Sequence, residues 1–569
     1  MYVLGIWDGH DSGAALVNDS EVLYAANEER FTKRKLEIKF PYHSVAAALA
    51  YAKIKPGEVD HVAFTTTEFT KTLERVFPGM KENYYRFRRR KTPKPSFEHA
   101  RHKLKYNLTN IGELPLCGMV SSSVVRKQLR RIGFSDSRYK LHIVDHHTAH
   151  AASAAFTSHT SRSLVVTLDG LGDGLSGSAS ILENGKLERV MAIRASDSIG
   201  IFYEQVTNLV GMRELEDEGK VMAMAEYSYP FTFEQNRFKD FFGVSGTRLS
   251  ARYSPSRQYD MIDRISWQMP REQVAYMAQQ LLESVMTRLV SNLVDRYSIG
   301  RLSVAGGLFS NVKANMHIRG LDHVKSMHVF PHMGDGGIAL GAALYTTYAL
   351  GGRTDYRFGA YLGDEFSTEE TEKEVRSDRS LRCERESQGQ NSKHAAELIE
   401  DGNYLFWFQG RMEYGPRALG NRSIVAPGES EEVKERLNML VKRREWFQPF
   451  APSMLEEEAD RILEYDGKGY DKFMTCAYSI KKEFRDKSRS VMHIDGTARA
   501  HMVGEENKIY ADLLKDVKKL RGTGMVLNTS FNIHGSPIVM TPRDAIDTMK
   551  KTKTKYMFID GLFVTNKRA

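Results

Sequence analysis

The chain echoes itself. Val3-Leu4-Gly5-Ile6-Trp7-Asp8-Gly9 returns in character as Leu164-Val165-Val166-Thr167-Leu168-Asp169-Gly170, an apolar strand ending in Asp-Gly both times. Each copy continues with a small-residue loop, a second strand, a turn and a third strand. The turns, Asn18-Asp19 and Asn184-Gly185, have the chemistry of hairpins. A duplicated α/β domain follows. Two such halves with their glycine-rich loops converging form a nucleotide cleft, because unhindered backbone N–H groups can approach phosphates from both sides. At 569 residues and 64.7 kDa the chain is also too long for one core, so further folding units are expected.

The duplicated plan resembles that of the actin, sugar-kinase and heat-shock ATPase superfamily. Residues 271–297 read as a long amphipathic helix, with Val274, Met277, Leu281, Leu282, Val285, Met286, Leu289, Leu293 and Val294 on a core stripe. After it, a short strand enters Gly306-Gly307-Leu308-Phe309-Ser310-Asn311, a glycine turn opening another helix, where a flat adenine or ribose can lie against the chain. The polar residues from about 363 to 390 read as a connection, and Tyr404–Phe408 as a buried strand. The expected domains are therefore 1–355 and 356–569.

Composition removes several classes. Apolar residues make up 41% and charged residues 27%, the balance of a folded protein. Apolar runs fall short of the roughly 18 residues of a membrane span, and Met1 leads straight into a strand with no secretory pattern, so no membrane is expected and the cytoplasm is the default compartment. Cys117, Cys383 and Cys476 are too few and too scattered for a disulfide framework or a CxxC zinc site. A net charge of +9 suits anionic small molecules as readily as nucleic acid. The densest basic stretch, Tyr84 to Lys91 before Pro93 and Pro95, interleaves aromatics with cations, as single-strand binders do and as solvated helix ends also do.

Several residues could carry chemistry. His146 and His150 stand four apart in Val144-Asp145-His146-His147-Thr148-Ala149-His150, where small residues favour helix, so both imidazoles point one way and can share a metal ion. His147 lies about 100° round that helix and is a poorer partner. Asp335, on a glycine-rich turn, can add an oxygen ligand, a set that suits Fe(II), Mn or Zn. Asp169-Gly170-Leu171-Gly172-Asp173-Gly174 is so rich in glycine that it reads as a phosphate-wrapping loop, with Asp169 or Asp173 holding the metal. His10, in the equivalent loop of the first half, is placed by its neutral pKa range to take a proton from an attacking hydroxyl. Further on, Arg411, Arg417 and Arg422 sit among glycines. Lys442 with Arg444, and Ser530 with Asn532, read as alternating strand positions lining one cavity, cations for a triphosphate and a hydroxyl and amide for a small planar group.

These residues make the chain resemble the NodU/CmcH-type carbamoyltransferase family, which includes antibiotic O-carbamoyltransferases, from Met1 nearly to the C-terminus. The resemblance rests on the His10-Asp11 loop, Glu29-Arg30-Phe31-Thr32, the His146-His150 segment, Gly306-Gly307 with Asn311, Gly415-Pro416-Arg417-Ala418-Leu419-Gly420, Phe450-Ala451-Pro452-Ser453 and Asn528-Thr529-Ser530-Phe531-Asn532. It implies a duplicated ATPase-like domain with a metal site, joined to a YrdC-like α/β domain that makes carbamoyl-adenylate from carbamoyl phosphate and Mg-ATP. By that match, Lys442, Arg444, Ser530 and Asn532 carry the adenylation signature, Arg417 and Arg499 add anion contacts, and Asn528 lies in the same nucleotide-binding motif. His146, His150 and Asp335 hold an iron-like ion with Asp169 nearby, and Lys35 touches the adenylate. Gly170, Gly172, Asp173, Gly306, Gly307 and Asn311 line the nucleotide, and His10 is the base for a hydroxyl acceptor.

Three positions depart from the pattern: Gln448 stands where relatives commonly have Arg, Gly13 where Ser is usual, and Met222-Ala223-Met224-Ala225-Glu226 where Met-Gly-Leu-Ala-Pro is usual. The sequence thus predicts an ATP-dependent O-carbamoyltransferase with a small-molecule acceptor. Its rivals are a tRNA-carbamoylating enzyme, suggested by the basic run, and a non-catalytic nucleotide-gated binding protein. A homodimer is left open.

Overall fold

The computed structural model describes residues 1–89 and 114–568. The chain divides into two compact units: Met1–Glu28 with Leu36–Phe358, and Glu29–Lys35 with Gly359–Ala569.

In the first unit, β1 (Val3–Trp7), β2 (Gly13–Val17) and β3 (Val22–Asn27) form an antiparallel meander, and β4 (His61–Thr65) and β5 (Lys140–Val144) add in parallel beyond β1. The second half repeats this with β6 (Arg162–Gly172), β7 (Leu175–Glu183) and β8 (Lys186–Arg194). A small hairpin of β9 (Phe242–Ser245) and β10 (Arg248–Ala251) intervenes before the parallel pair β11 (Arg301–Ala305) and β12 (Ser326–Val329). The sheet orders, β3-β2-β1-β4-β5 and β8-β7-β6-β11-β12, are the same plan written twice. That is the actin, sugar-kinase and heat-shock ATPase architecture.

Local chemistry explains the turns. Asn184 and Gly185 have φ of 50° and 78°, as do Asp173 and Gly174 at 49° and 78°, the left-handed pairs that close two-residue hairpins with matching twist. The helix Arg271–Tyr297 buries the stripe from Val274 to Val294 and stops where Ser298 turns left-handed at φ 52°. Between the two halves, the helices His146–Phe156 and Ile338–Ala349 approach so closely that a Cβ on Gly341 would lie 1.9 Å from the Ala149 carbonyl oxygen.

The second unit is a mixed sheet built from β13 (Leu381–Arg385), β14 (Leu405–Phe408), β15 (Arg422–Ala426), β16 (Ala451–Leu455), β19 (His501–Val503), β20 (Met525–Ser530), β21 (Tyr556–Ile559) and β22 (Leu562–Asn566), with β17 (Tyr478–Ser479) and β18 (Thr497–Ala498) as a separate ribbon. The period-2 rule sorts its core into two layers. Phe406, Ile424, Leu527 and Met557 pack on one face, and Leu405, Trp407, Val425, Val526 and Phe558 pack on the other with Ala395 and Leu514.

Two expectations need correction. Residues 363–390 are not a bare connection. They include the helix Thr368–Arg376, opened by a Ser367/Glu370 capping box, and the edge strand β13. Within the basic run, the helix Pro78–Arg88 turns Tyr85 and Arg88 inward and Arg89 is buried just beyond it, while Arg86 stays exposed and pairs with Glu82. Arg90, Lys91, Pro93 and Pro95 lie outside the described residues.

A buried ion pair braces the first sheet. Asp8 accepts two hydrogen bonds from Arg75, Nε to Oδ2 at 2.9 Å and Nη2 to Oδ1 at 2.8 Å. Arg75 also donates to the carbonyls of Thr65 and Thr66. Although burial opposes ionisation of Asp8, Arg75 and Lys71 hold its carboxyl well below the usual range. Arg75→Met removes the bidentate partner of a buried carboxylate and should cost about 3–5 kcal/mol. A lower urea midpoint for the first unfolding transition is the expected result; a midpoint equal to that of the wild type would refute this account of Asp8.

Candidate metal and nucleotide sites

Strand ends supply the first site. His10 follows β1, Thr66 follows β4, the helix beginning at His146 follows β5, and Asp335 follows β12. Asp169 lies in β6 where its pairing with β7 slips. Residues beyond the carboxyl ends of parallel strands converge, which is where α/β sheets place ligands.

One ligand atom each from His146, His150, Asp169 and Asp335 lies within 4.8 Å of all the others. Asp169 Oδ2 is 3.3 Å from His146 Nε2 and 3.0 Å from His150 Nε2, and Asp335 Oδ1 is 3.6 Å from each. Both imidazoles are about 1% exposed. Burial by itself would lower the pKa of His146, but Asp335 and Asp169 outweigh it and hold it up at about 10. His150 is also raised, against burial, by its bonds to Asp169 and Asp335. The pull for positive charge between two carboxylates, with two imidazole nitrogens facing it, is what a divalent cation would satisfy, and the N/O donor set fits a first-row divalent ion.

The surroundings hold this geometry. Thr66 Oγ1 lies 3.0 Å from His146 Nδ1 and so orients the ring, although Thr66 must adopt φ 66°, an unfavourable region for a β-branched residue. Gly172 has no side chain because its Cβ would sit 2.1 Å from the His146 ring. Asp173 accepts hydrogen bonds from the backbone N–H groups of Thr67, Glu68 and His146, so its carboxylate clamps the loop to the helix start and stands apart from the four-ligand group. Asp169 Oδ1 accepts from the N–H groups of Gly170 and Gly307, and Gly306 takes φ 103° with its α-carbon pressed against the Leu168 carbonyl. These glycines seat the aspartate. Asn311 caps the helix Val312–Arg319 and exchanges amide hydrogen bonds with Gln279.

His10 Nδ1 stands 3.5 Å from Asp335 Oδ2, with 31% of its side chain open. Its backbone carbonyl accepts from Trp7 Nε1 at 2.8 Å, and the Trp7 ring packs edge-on against both His10 and His146. His147 turns away to Thr167, and burial drives its pKa down to about 3.

The second unit carries the opposite charge. Lys442 Nζ donates to Asn532 Oδ1 at 2.8 Å, to Ser530 Oγ at 3.1 Å and to the Ser530 carbonyl, and burial pulls its pKa well down, aided by Arg444 and Lys35. The four residues of the expected signature lie near one another, but Lys442 and Arg444 are not on a strand. Lys442 ends the helical turn Leu437–Lys442, and Arg443 at φ 47° reverses the chain so that Arg444 lies over the Phe450 ring at 4.1 Å. Of the three arginines among glycines, Arg411 holds the Leu362 and Gly363 carbonyls and Arg422 is fully buried on the carbonyls of Gln409, Gly410 and Asn421. Arg417 has a buried Nε without a hydrogen-bond partner, and so does Arg499. Burial lowers the pKa of Arg417 and of Arg444 to about 10, and lowers Arg499 further with help from Arg417 and Arg444. Asn528 donates to the Ala418 carbonyl and Ser453, tying down the loop that bears Arg417. Lys35 belongs to the segment that packs with this unit, where Arg30 donates to the Gly415 carbonyl at 2.9 Å.

Sequence reasoning missed Trp7, Thr66 and the Asp8–Arg75 pair. Thr66 carries no signal in its spacing, since its role depends on β4 ending beside β5.

The full chain should bind one divalent ion at the four-residue group. Asp169→Ala should abolish that ion, and Thr66→Val should weaken it about 10- to 100-fold. Metal content and calorimetric titration test this; wild-type affinity in Asp169→Ala would exclude the assignment.

Residues 2–344 match the family described as Carbamoyltransferase N-terminus, and residues 396–566 match Carbamoyltransferase C-terminus. The chain is 32% identical to an uncharacterized protein of Methanocaldococcus jannaschii over 98% of each chain. It is 30% identical to nodulation protein NolNO of Sinorhizobium fredii, over 98% of this chain and 78% of that one. Against nodulation protein NolO of Bradyrhizobium diazoefficiens the identity is 32%, over 75% of this chain and 79% of the relative. Among solved structures, component A of (R)-2-hydroxyglutaryl-CoA dehydratase from Acidaminococcus fermentans aligns with 61% of this chain and 99% of its own, at 16% identity and a TM-score of 0.33. The chain therefore belongs to the carbamoyltransferase family and is an enzyme of carbamoyl transfer.

Proposed function

We propose that this enzyme is an ATP-dependent O-carbamoyltransferase acting on a small-molecule hydroxyl. Carbamoyl phosphate loses its phosphate to water in the second unit, which would have the YrdC-like role. The carbamate oxygen then attacks the α-phosphorus of Mg-ATP, pyrophosphate leaves, and carbamoyl-adenylate forms. In the first unit the acceptor oxygen attacks the carbamoyl carbon, the bond to the adenylate oxygen breaks, and AMP leaves.

The observation that carries this reading is the cation group of the second unit, with Lys442 buried and the buried Nε–H donors of Arg417 and Arg499 unsatisfied. Partly buried, mutually repelling guanidinium groups call for a ligand of high negative charge, and a triphosphate would supply it. Arg444 and Lys442 extend the same group, while Ser530 and Asn532 offer a hydroxyl and an amide suited to a planar carbamate.

A carbamoyl carbon is a poor electrophile because its nitrogen donates into the carbonyl, so the transfer needs a good leaving group and local polarisation. His146, His150, Asp169 and Asp335 would hold Fe(II) or a similar divalent ion, which when bound supplies Lewis-acid polarisation. His10, partly open and set beside Asp335, would take the proton from the attacking hydroxyl; burial lowers its pKa, which favours the neutral base. Its need for ATP and carbamoyl phosphate would place the reaction in the cytoplasm. No helix among the described residues is long and apolar enough to cross a membrane. The burial of Arg88 and Arg89 leaves the tRNA reading without two of the cations that suggested it.

The test supplies the full chain with carbamoyl phosphate and ATP. Pyrophosphate should be released, about ten- to a hundredfold more slowly in Ser530→Ala and Arg499→Ala. His10→Ala should slow acceptor carbamoylation by about 10²–10⁴-fold. No pyrophosphate, or a Ser530→Ala variant as fast as wild type, would overturn the reading.

A further inference from the structure

The basic run is not used by this mechanism, yet part of it is buried beside the first site. Arg88 is 4% exposed, and its Nε and Nη2 have no hydrogen-bond partner. A guanidinium removed from water without a partner is costly, so a chain that keeps one there has a use for its charge.

Among the described residues no carboxylate accepts a hydrogen bond from Arg88 Nε or Nη2. Both carboxylate oxygens of Asp8 are taken by Arg75 and its backbone carbonyl is held by Lys71 and Lys81, while Glu216 pairs with Arg89 and Glu214 accepts from Tyr84. Asp169 and Asp335 face the imidazoles. Glu68 is buried, and burial raises its pKa to about 7, which removes much of its charge. Burial lowers the pKa of Lys81 to about 7 in the same way, which reduces its share of the positive charge here.

These cations lie next to the reacting group. Lys71 Nζ sits 4.6 Å over the Trp7 ring, the ring that packs against His10 at 6.4 Å between centroids. Lys81 comes from the same helix as Arg88 and reaches Asp8, two residues before His10. Arg88 lies about two turns beyond Lys81 on that helix and also faces inward, and its charge bears on His10.

We propose that Arg88, backed by Lys71 and Lys81, receives a carboxylate or phosphate carried by the hydroxyl acceptor, so that the enzyme selects negatively charged acceptors. The inference rests on the first unit being the transfer site. It adds the chemical class of the acceptor: a hydroxylated molecule, such as a sugar acid or sugar phosphate, whose anionic group is anchored while its hydroxyl lies at His10. Arginine suits the role, because its planar fork pairs with carboxylate or phosphate in two parallel hydrogen bonds.

The experiment titrates the full chain with glucuronate and glucose 6-phosphate, with glucose as the neutral control, by calorimetry. At least one anionic probe should bind more tightly than glucose, lose about ten- to a hundredfold in Arg88→Gln and recover part of that in Arg88→Lys. Glucose binding as well as both anions, or anion binding indifferent to Arg88→Gln, would overturn the proposal. So would pyrophosphate release falling in Arg88→Gln as far as anion binding does, since Arg88 would then serve the adenylate phosphate. A wild type that binds the anions yet releases no pyrophosphate would fail the activation step alone and leave the anion subsite standing.

Discussion

Asp169 and Asp335 set two like-charged carboxylates beside one another, a repulsion that positive charge between them relieves. Much of the first unit serves that requirement. Duplicated sheets aim their strand ends at one place, and the Gly341–Ala149 approach brings the helix behind Asp335 against the helix bearing the two imidazoles. Asp173 and Thr66 then fix His146, one by its backbone and one by its ring. A small displacement in any of these would separate groups whose attraction falls steeply with distance.

The second unit solves the mirror problem. Its cations cluster in one place, where the first site gathers two carboxylates. Each site is thus suited to a ligand of opposite sign, as the proposed function requires: a cation in one and a polyanion in the other. Such clustering of like charge opposes folding stability and is kept where binding repays it.

The duplication was legible because the strand period and the Asp-Gly ends recur in both copies, although only the second copy closes its turn with the left-handed Asn184-Gly185 pair. The imidazole pair was legible because four residues make one helical turn. The strand reading of Lys442 and Arg444 failed because alternate spacing is shared by a strand and by a helix that ends in a left-handed reversal at Arg443, a backbone event with no side-chain signature there. The capping box at Ser367 could have revealed the helix in residues 363–390, but the acidic composition of that segment masked it. The buried face of the Arg88 helix was hidden for a different reason: arginine normally marks solvent, and only tertiary packing overrides it.

The excursion of Glu29–Lys35 into the second unit has a further meaning. These residues leave the ribosome early, yet the body they pack with begins at Gly359 and is synthesised last. The seven-residue strip must therefore wait through the synthesis of the whole intervening unit. A gene cut between the two bodies would strand that strip on the wrong product, so the halves of this enzyme are bound to one polypeptide by topology as well as by chemistry.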